Sequence, residues 1–174
     1  MTDETNTAVR IAEDSFGKRA EFDEIEIGAP LETMEWVVTD EDIEKQCRID
    51  EDYHEAYVLG SSLADDERVA PPQIQYRPPR WMLTRTYNVR GVFYKWEFES
   101  FKAIRPGEKI TVTGEIVDKW IKNEREFIKF EAIGHDEDGE KVFSTLRTHV
   151  LDVVERSAPR EGSGIDSGHK PEKI

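Results

Sequence analysis

Period-two alternation dominates the second half of the chain. Val92, Tyr94, Trp96 and Phe98 alternate with Phe93, Lys95, Glu97 and Glu99, which predicts a strand with one strongly aromatic face and one mostly charged face. Ile110, Val112, Gly114 and Ile116 alternate with Thr111, Thr113 and Glu115 in a second such strand, a third runs from about Glu126 to Gly134, and a fourth from Lys141 to Val154. Turn chemistry separates them. Arg105-Pro106-Gly107-Glu108 has proline and glycine where a type II turn needs them, and the Asp-Gly pair in Asp136-Glu137-Asp138-Gly139 marks a hairpin.

The first half reads differently. Met34 to Val38 is a short strand, after which Thr39 is placed to cap a helix over about residues 40–48, with Asp40, Glu41 and Asp42 in the first turn where negative charge suits the helix dipole. Ile43 and Cys47 fall four apart on its inner face. A second helical piece is expected over Asp52 to Leu59, a loop over Ser61 to Glu67, and, since proline is tolerated in a first helical turn, a helix from near Pro79 to about Tyr87. An early strand, a helical segment and a long antiparallel meander make an α+β layout in which one helix across a curved sheet buries the apolar faces of both.

At 174 residues the chain is about one domain's worth. Residues 1–20 and 156–174 are polar and poor in large apolar side chains, so both read as mobile tails around a domain over residues 21–155. A net charge of −14 repels phosphate backbones and anionic lipid, which argues against nucleic-acid or membrane binding. The run before Asp14 lacks the apolar core of a secretion signal and Cys47 is the only cysteine, so a cytoplasmic protein is expected. One thiol makes a poor metal site, and there is no glycine-rich phosphate loop or Gly-x-Ser-x-Gly elbow. Chemistry without a metal or cofactor follows as the expectation.

Three patterns, taken in order, resemble the MaoC-like dehydratases, the family of hot-dog-fold (R)-specific enoyl-CoA hydratases, in the branch related to the dehydratase domain of fungal fatty-acid synthase. The first is Thr39-Asp40-Glu41-Asp42-Ile43 leading into Asp52-Tyr53-His54-Glu55-Ala56-Tyr57. Val69-Ala70-Pro71-Pro72 is the second, and the run from Phe101 to Val112 around the Pro106-Gly107 turn is the third. The resemblance covers roughly residues 22–154. It implies a single hot-dog domain, a curved antiparallel sheet wrapped around a helical segment, acting on acyl-CoA or carrier-protein thioesters by adding water to, or removing it from, a 2-enoyl substrate.

The family's active-site loop reads Asp-x-Asn-Pro-x-His, and this chain places Asp52 on the Asp, His54 on the Asn, Glu55 on the Pro and Tyr57 on the His. The resemblance therefore implies Asp52 as general base, Tyr57 as proton donor or water holder and His54 as an orienting neighbour. A tyrosine there changes the chemistry, because a phenol with a reference pKa of about 10 mostly donates a proton where an imidazole accepts one. The second departure is at Pro72, where relatives reading Ala-His-Gly use a glycine N–H to polarise the thioester carbonyl; with no N–H at Pro72, the donor comes from Gln73, comes from another chain or is missing.

Between Tyr76 and Arg105, Arg77, Arg80, Arg85, Arg90, Lys95, Lys102 and Arg105 stand against Glu97 and Glu99, a local net charge of +5 in an acidic chain. That excess suits the phosphates of coenzyme A, with Arg77, Arg80 and Arg85 as candidate contacts, or equally suits pairing with the protein's own acids. Phe93, Tyr94, Trp96, Phe98 and Phe101 either line an acyl pocket, with Trp96 as a substrate contact, or form plain sheet core. His135 reads as a surface residue, His149 as a structural one, and His169 has no supporting context.

Two rivals to the hydratase remain. One is an acyl-CoA-binding subunit whose catalytic residues come from a second MaoC-like chain, since His-to-Tyr and Gly-to-Pro changes weaken catalysis without harming packing. The other is a thioesterase on the same fold. A homodimer or heteromer is expected in each case, because a long exposed strand and a half-formed tunnel call for a second chain.

Overall fold

A computed structural model of the chain describes residues 20–60, 67–89 and 91–151. The expected N-terminal tail apart from residue 20, the whole expected C-terminal tail, residues 152–154 of the expected last strand and residues 61–66 of the expected loop lie outside these residues. Five antiparallel strands form one sheet: β1 (Met34–Val37), β2 (Gly91–Ser100), β3 (Lys109–Lys122), β4 (Arg125–His135) and β5 (Lys141–Leu151). Their order across the sheet is β1-β3-β4-β5-β2, so the β3-β4-β5 meander is central and β1 and β2 are its edges. Among the described residues, three α-helices lie between β1 and β2, namely α1 (Asp40–Asp50), α2 (Glu55–Val58) and α3 (Arg77–Tyr87).

Local chemistry sets these boundaries. Thr39 Oγ1 accepts the Asp42 N–H at 3.1 Å while Asp42 Oδ2 accepts the Thr39 N–H at 3.2 Å, a reciprocal cap that starts α1. In the turn before β3, Gly107 takes φ +89° and the Glu108 N–H returns to the Arg105 carbonyl at 3.2 Å, as the type II reading requires. Asp136 to Gly139 closes the β4-β5 hairpin, with the Gly139 N–H on the Asp136 carbonyl.

The core lies between the sheet and α3. Met82 and Leu83 of α3 pack with Ile110, Val112, Ile128, Phe130, Ala132 and Phe143 in one buried cluster that also takes in Ile43 and Cys47 of α1. Gly114 lets α3 approach: a Cβ there would stand 2.6 Å from the Glu131 carbonyl oxygen and 3.0 Å from Met82 Cε.

Three expectations need correction. The α2 helix is one turn, Glu55–Val58, because Asp52 and His54 are spent on local turn bonds before it. The helix expected near Pro79 begins at Arg77 and follows a 3-10 turn, Pro72–Tyr76; both prolines of the 78–79 pair sit in its first turn, where no N–H is lost. The third concerns the aromatic face of β2. A bulge between Phe93 and Lys95 shifts the register, so Phe93 lies opposite His149, Trp96 opposite Arg147 and Phe98 opposite Thr145. Phe93 therefore joins Trp96 and Phe98 on one face, and Tyr94 turns to the other, where its ring meets Phe127 edge-on at 5.3 Å.

Candidate functional site

The turn between α1 and α2 is built from its own side chains. Glu51 ends α1 in the left-handed conformation, φ +53°, and the Asp52 N–H returns to the Cys47 carbonyl at 3.0 Å. Asp52 Oδ1 accepts the His54 N–H at 3.2 Å, and His54 Nδ1 accepts the Ala56 N–H at 3.2 Å, capping α2. That second bond fixes the imidazole: with Nδ1 an acceptor, the neutral ring carries its proton on Nε2. One turn further, the Tyr57 ring lies 5.6 Å from that of His54.

His54 and Tyr57 open onto a groove of about 440 Å³ whose other walls include Ala70, Pro72, Gln75, Ser100 and Lys102. A volume of this order suits a small-molecule cleft. Tyr57 also faces a second cavity of about 510 Å³, walled by Cys47, Arg48, Tyr53 and Arg68. Burial, then the Asp52 charge, then Cys47 push the Tyr57 hydroxyl above the ordinary phenol range, so the group holds its proton at neutral pH. Asp52 is half-buried and acts on Tyr57 through its charge; it is not among the groove-lining residues.

The structure thus gathers His54, Tyr57 and Pro72 at one groove and leaves the other candidates elsewhere. Gln73 is exposed and off the wall, whereas Gln75, which sequence reasoning missed, is buried and on it. Three residues per turn of the 3-10 segment put Pro72 and Gln75 on one side. Arg77 binds Asp42 Oδ1 at 2.6 Å and Gln46 Oε1 at 3.2 Å, Arg85 pairs with Glu32 at 2.5 Å, and the Arg80 guanidinium lies 4.8 Å over the Trp81 ring. Lys95, Lys102 and Arg105 likewise meet Glu97, Asp136 and Glu67. The local basic excess is largely neutralised within the chain, and Arg90 lies outside the described residues. Trp96 donates to Thr145 Oγ1 at 2.8 Å and stacks edge-on to Tyr76 at 5.6 Å, away from the groove lining.

No protein-family model and no curated protein matches the sequence. Solved structures do match the fold. The HadBC (3R-hydroxyacyl-ACP dehydratase) complex of Mycobacterium tuberculosis aligns at a TM-score of 0.63 and 19% identity over 72% of this chain and 96% of that one. R-hydratase PhaJ1 of Pseudomonas aeruginosa aligns at 0.62 and 14% identity over 73% of this chain and 82% of that one. A protein described as a MaoC-like dehydratase gives 0.65 and 20% identity over 76% of this chain and 44% of its own length. The five-stranded antiparallel sheet with a helix packed against it is therefore the hot-dog fold, in the form that these MaoC-like dehydratases and (R)-hydratases share.

Proposed function

We propose that the chain is an acyl-thioester hydratase or dehydratase, adding water to or removing it from a 2-enoyl-CoA or carrier-protein substrate held in the groove beside α2. The observation that supports this most is the meeting of His54 and Tyr57 with Pro72 and Gln75 at one groove, on a fold shared with solved hydratases. In the hydration direction, Asp52 takes one proton of a water whose oxygen bonds to the β-carbon. Tyr57 gives its hydroxyl proton to the α-carbon as the carbon–carbon double bond becomes single, and Asp52 returns the proton taken from water to the phenolate. Asp52 Oδ1 already holds the His54 N–H, which leaves Oδ2 for the water. His54, protonated on Nε2, donates and does not compete as base. Coenzyme A enters as part of the substrate, and no metal or other cofactor takes part.

Loss of enoyl absorbance from a short 2-enoyl-CoA, followed with the wild type and Asp52→Asn, tests the reading. The wild type turns over and the variant loses at least about 100-fold, the order expected for removing a general base; equal rates exclude Asp52 as base. Release of free thiol from a saturated acyl-CoA identifies a thioesterase instead.

One observation favours a second reading. Pro72 removes a backbone donor from the groove, and the Asp52 carboxylate stands off its wall, which suits a subunit that binds acyl-CoA while a second MaoC-like chain supplies catalysis. Such a chain is inactive alone and gains activity with its partner. In both readings a second chain, identical or related, completes the assembly along β2.

A further inference from the structure

Most backbone donors on the groove walls are already used. On its walls the backbone N–H groups of Ala56, Tyr57, Val69, Ala70, Phe101 and Lys102 are all spent on acceptors within the chain, and Pro72 has none to give. A thioester carbonyl that gathers negative charge during reaction needs at least one donor aimed at it. With the Tyr57 hydroxyl assigned to the α-carbon, Gln75 is, along with His54, a side chain on the groove wall placed to provide it. It is 2% exposed, it lines the groove, and its one side-chain bond runs from Nε2 to Ser100 Oγ on β2 at 3.2 Å. Its Oε1 is buried with no hydrogen-bond partner.

An amide end buried in this way costs on the order of 1–3 kcal/mol, so an unpartnered end on a groove-lining residue calls for a partner that a small side-chain movement would bring to it. Which end faces that partner is set by Ser100. A hydroxyl both donates and accepts, so the amide keeps its Ser100 bond in either of two orientations related by a half-turn about its last side-chain torsion. With Oε1 toward Ser100, the hydroxyl donates to it and Nε2–H is released. A carbonyl ligand selects that orientation. Accepting the Ser100 proton also polarises the amide and strengthens its N–H as a donor.

We propose that the Gln75 amide, oriented by Ser100, polarises the substrate's thioester carbonyl, taking the place of the backbone donor that proline removes at position 72. The assignment rests on the groove being the thioester site. It separates the roles of two glutamines two residues apart: Gln73 is exposed and off the groove wall, and Gln75 takes part in the chemistry.

The test uses the full-length protein, Gln75→Leu and the near-isosteric Gln75→Glu, with circular dichroism as the check on folding and Gln75→Glu carrying the result if the leucine variant does not fold. With a 2-enoyl-CoA, kcat falls about 100- to 1000-fold in both variants while KM moves less than about threefold, because the bond strengthens as charge develops on the oxygen. Bound 2,4-hexadienoyl-CoA gives a second readout independent of turnover: its absorption moves to the red when the carbonyl is polarised, and the variants bind it without that shift. Variants with wild-type kcat and an unchanged red shift overturn the role of Gln75 while leaving a hydratase intact. A wild type that hydrates nothing yet shows a red shift lost on changing Gln75 overturns the hydratase reading and upholds this one.

Discussion

Arg147 and His149 stand two residues apart on one face of β5, and each carries a buried nitrogen, Nη1 in the first and Nε2 in the second, that no hydrogen-bond partner meets. Arg147 is fully buried, its Nη2 donates to the Tyr76 carbonyl at 3.0 Å, and its guanidinium rests 4.5 Å from the Tyr76 ring and 5.6 Å from that of Phe93. Aromatic faces take the role that a carboxylate usually plays beside a buried cation. The fit is partial. Burial pulls Arg147 down to about 10, and burial together with the Arg147 charge pulls His149 down to about 4.

A pH dependence of stability follows. His149 is neutral in the folded chain until about pH 4, whereas unfolded it binds a proton below about 6.5, so acid favours the unfolded state. The stabilisation is fully present above pH 6.5 and is lost as pH falls from there to 4, by about 3 kcal/mol in total. Urea unfolding at several pH values, compared between wild type and His149→Phe, isolates this part from the carboxylates. The wild type loses more stability on acidification than the variant, and parallel curves would refute the assignment.

Asp52 and Tyr57 make a second pair that can be tested without any substrate. Since the Asp52 charge helps to hold the phenol proton, Asp52→Asn moves the Tyr57 titration toward lower pH. Phenolate absorbance reads the midpoint, with Tyr57→Phe identifying which of the five tyrosines is responsible. An unmoved midpoint would mean that the two groups do not communicate, and with it the proposed proton return from Asp52 to Tyr57 would fall.

Arg77 is tied to architecture. Asp42 uses Oδ2 to cap α1 and Oδ1 to hold Arg77, so one carboxylate joins the start of α1 to the start of α3. Charge-assisted bonds in a half-buried pair contribute about 1.5–3 kcal/mol. Arg77→Met therefore lowers unfolding stability by roughly that amount in chemical denaturation, while calorimetric affinity for coenzyme A stays at the wild-type value. A large loss of affinity with unchanged stability would return Arg77 to the list of phosphate contacts.

These cases show what the sequence makes legible. Alternation and turn residues located β3, β4 and β5 closely, because β3 and β4 bury mainly one face over much of their length and period two follows from that, while β5, buried on both faces toward its end, was placed by the Asp-Gly turn before it. The same logic mis-set β2, where the bulge adds a residue and exchanges the faces of Phe93 and Tyr94. Both are aromatic, so neither reading looked out of place. Within the site, His54 and Tyr57 were legible through a motif, while Gln75 was not: an amide shows its importance only when its burial and its incomplete hydrogen bonding are known. Charge counting failed for a related reason. It registers Arg85 as basic but cannot see Glu32, which lies 53 positions earlier and neutralises it.

The β2 edge yields the last prediction. Ten residues long and bounded on one side only by β5, it offers unpaired backbone groups along the other side, beside Val92, Tyr94 and Trp96, which are 49%, 63% and 39% exposed. A long edge with exposed apolar side chains is a pairing site unless covered, and few charges are set there against it apart from Lys95, Glu97 and Glu99. A second chain laid along β2 covers the apolar residues and continues the sheet. Val92→Lys puts a charge at a position the single chain already exposes, so it leaves the fold intact and disfavours pairing. Light scattering after gel filtration then gives a dimer for the wild type and a monomer for the variant. A dimer that survives the lysine is held elsewhere, and a wild-type monomer leaves the edge for a different, related chain, which co-purification from the native source would recover.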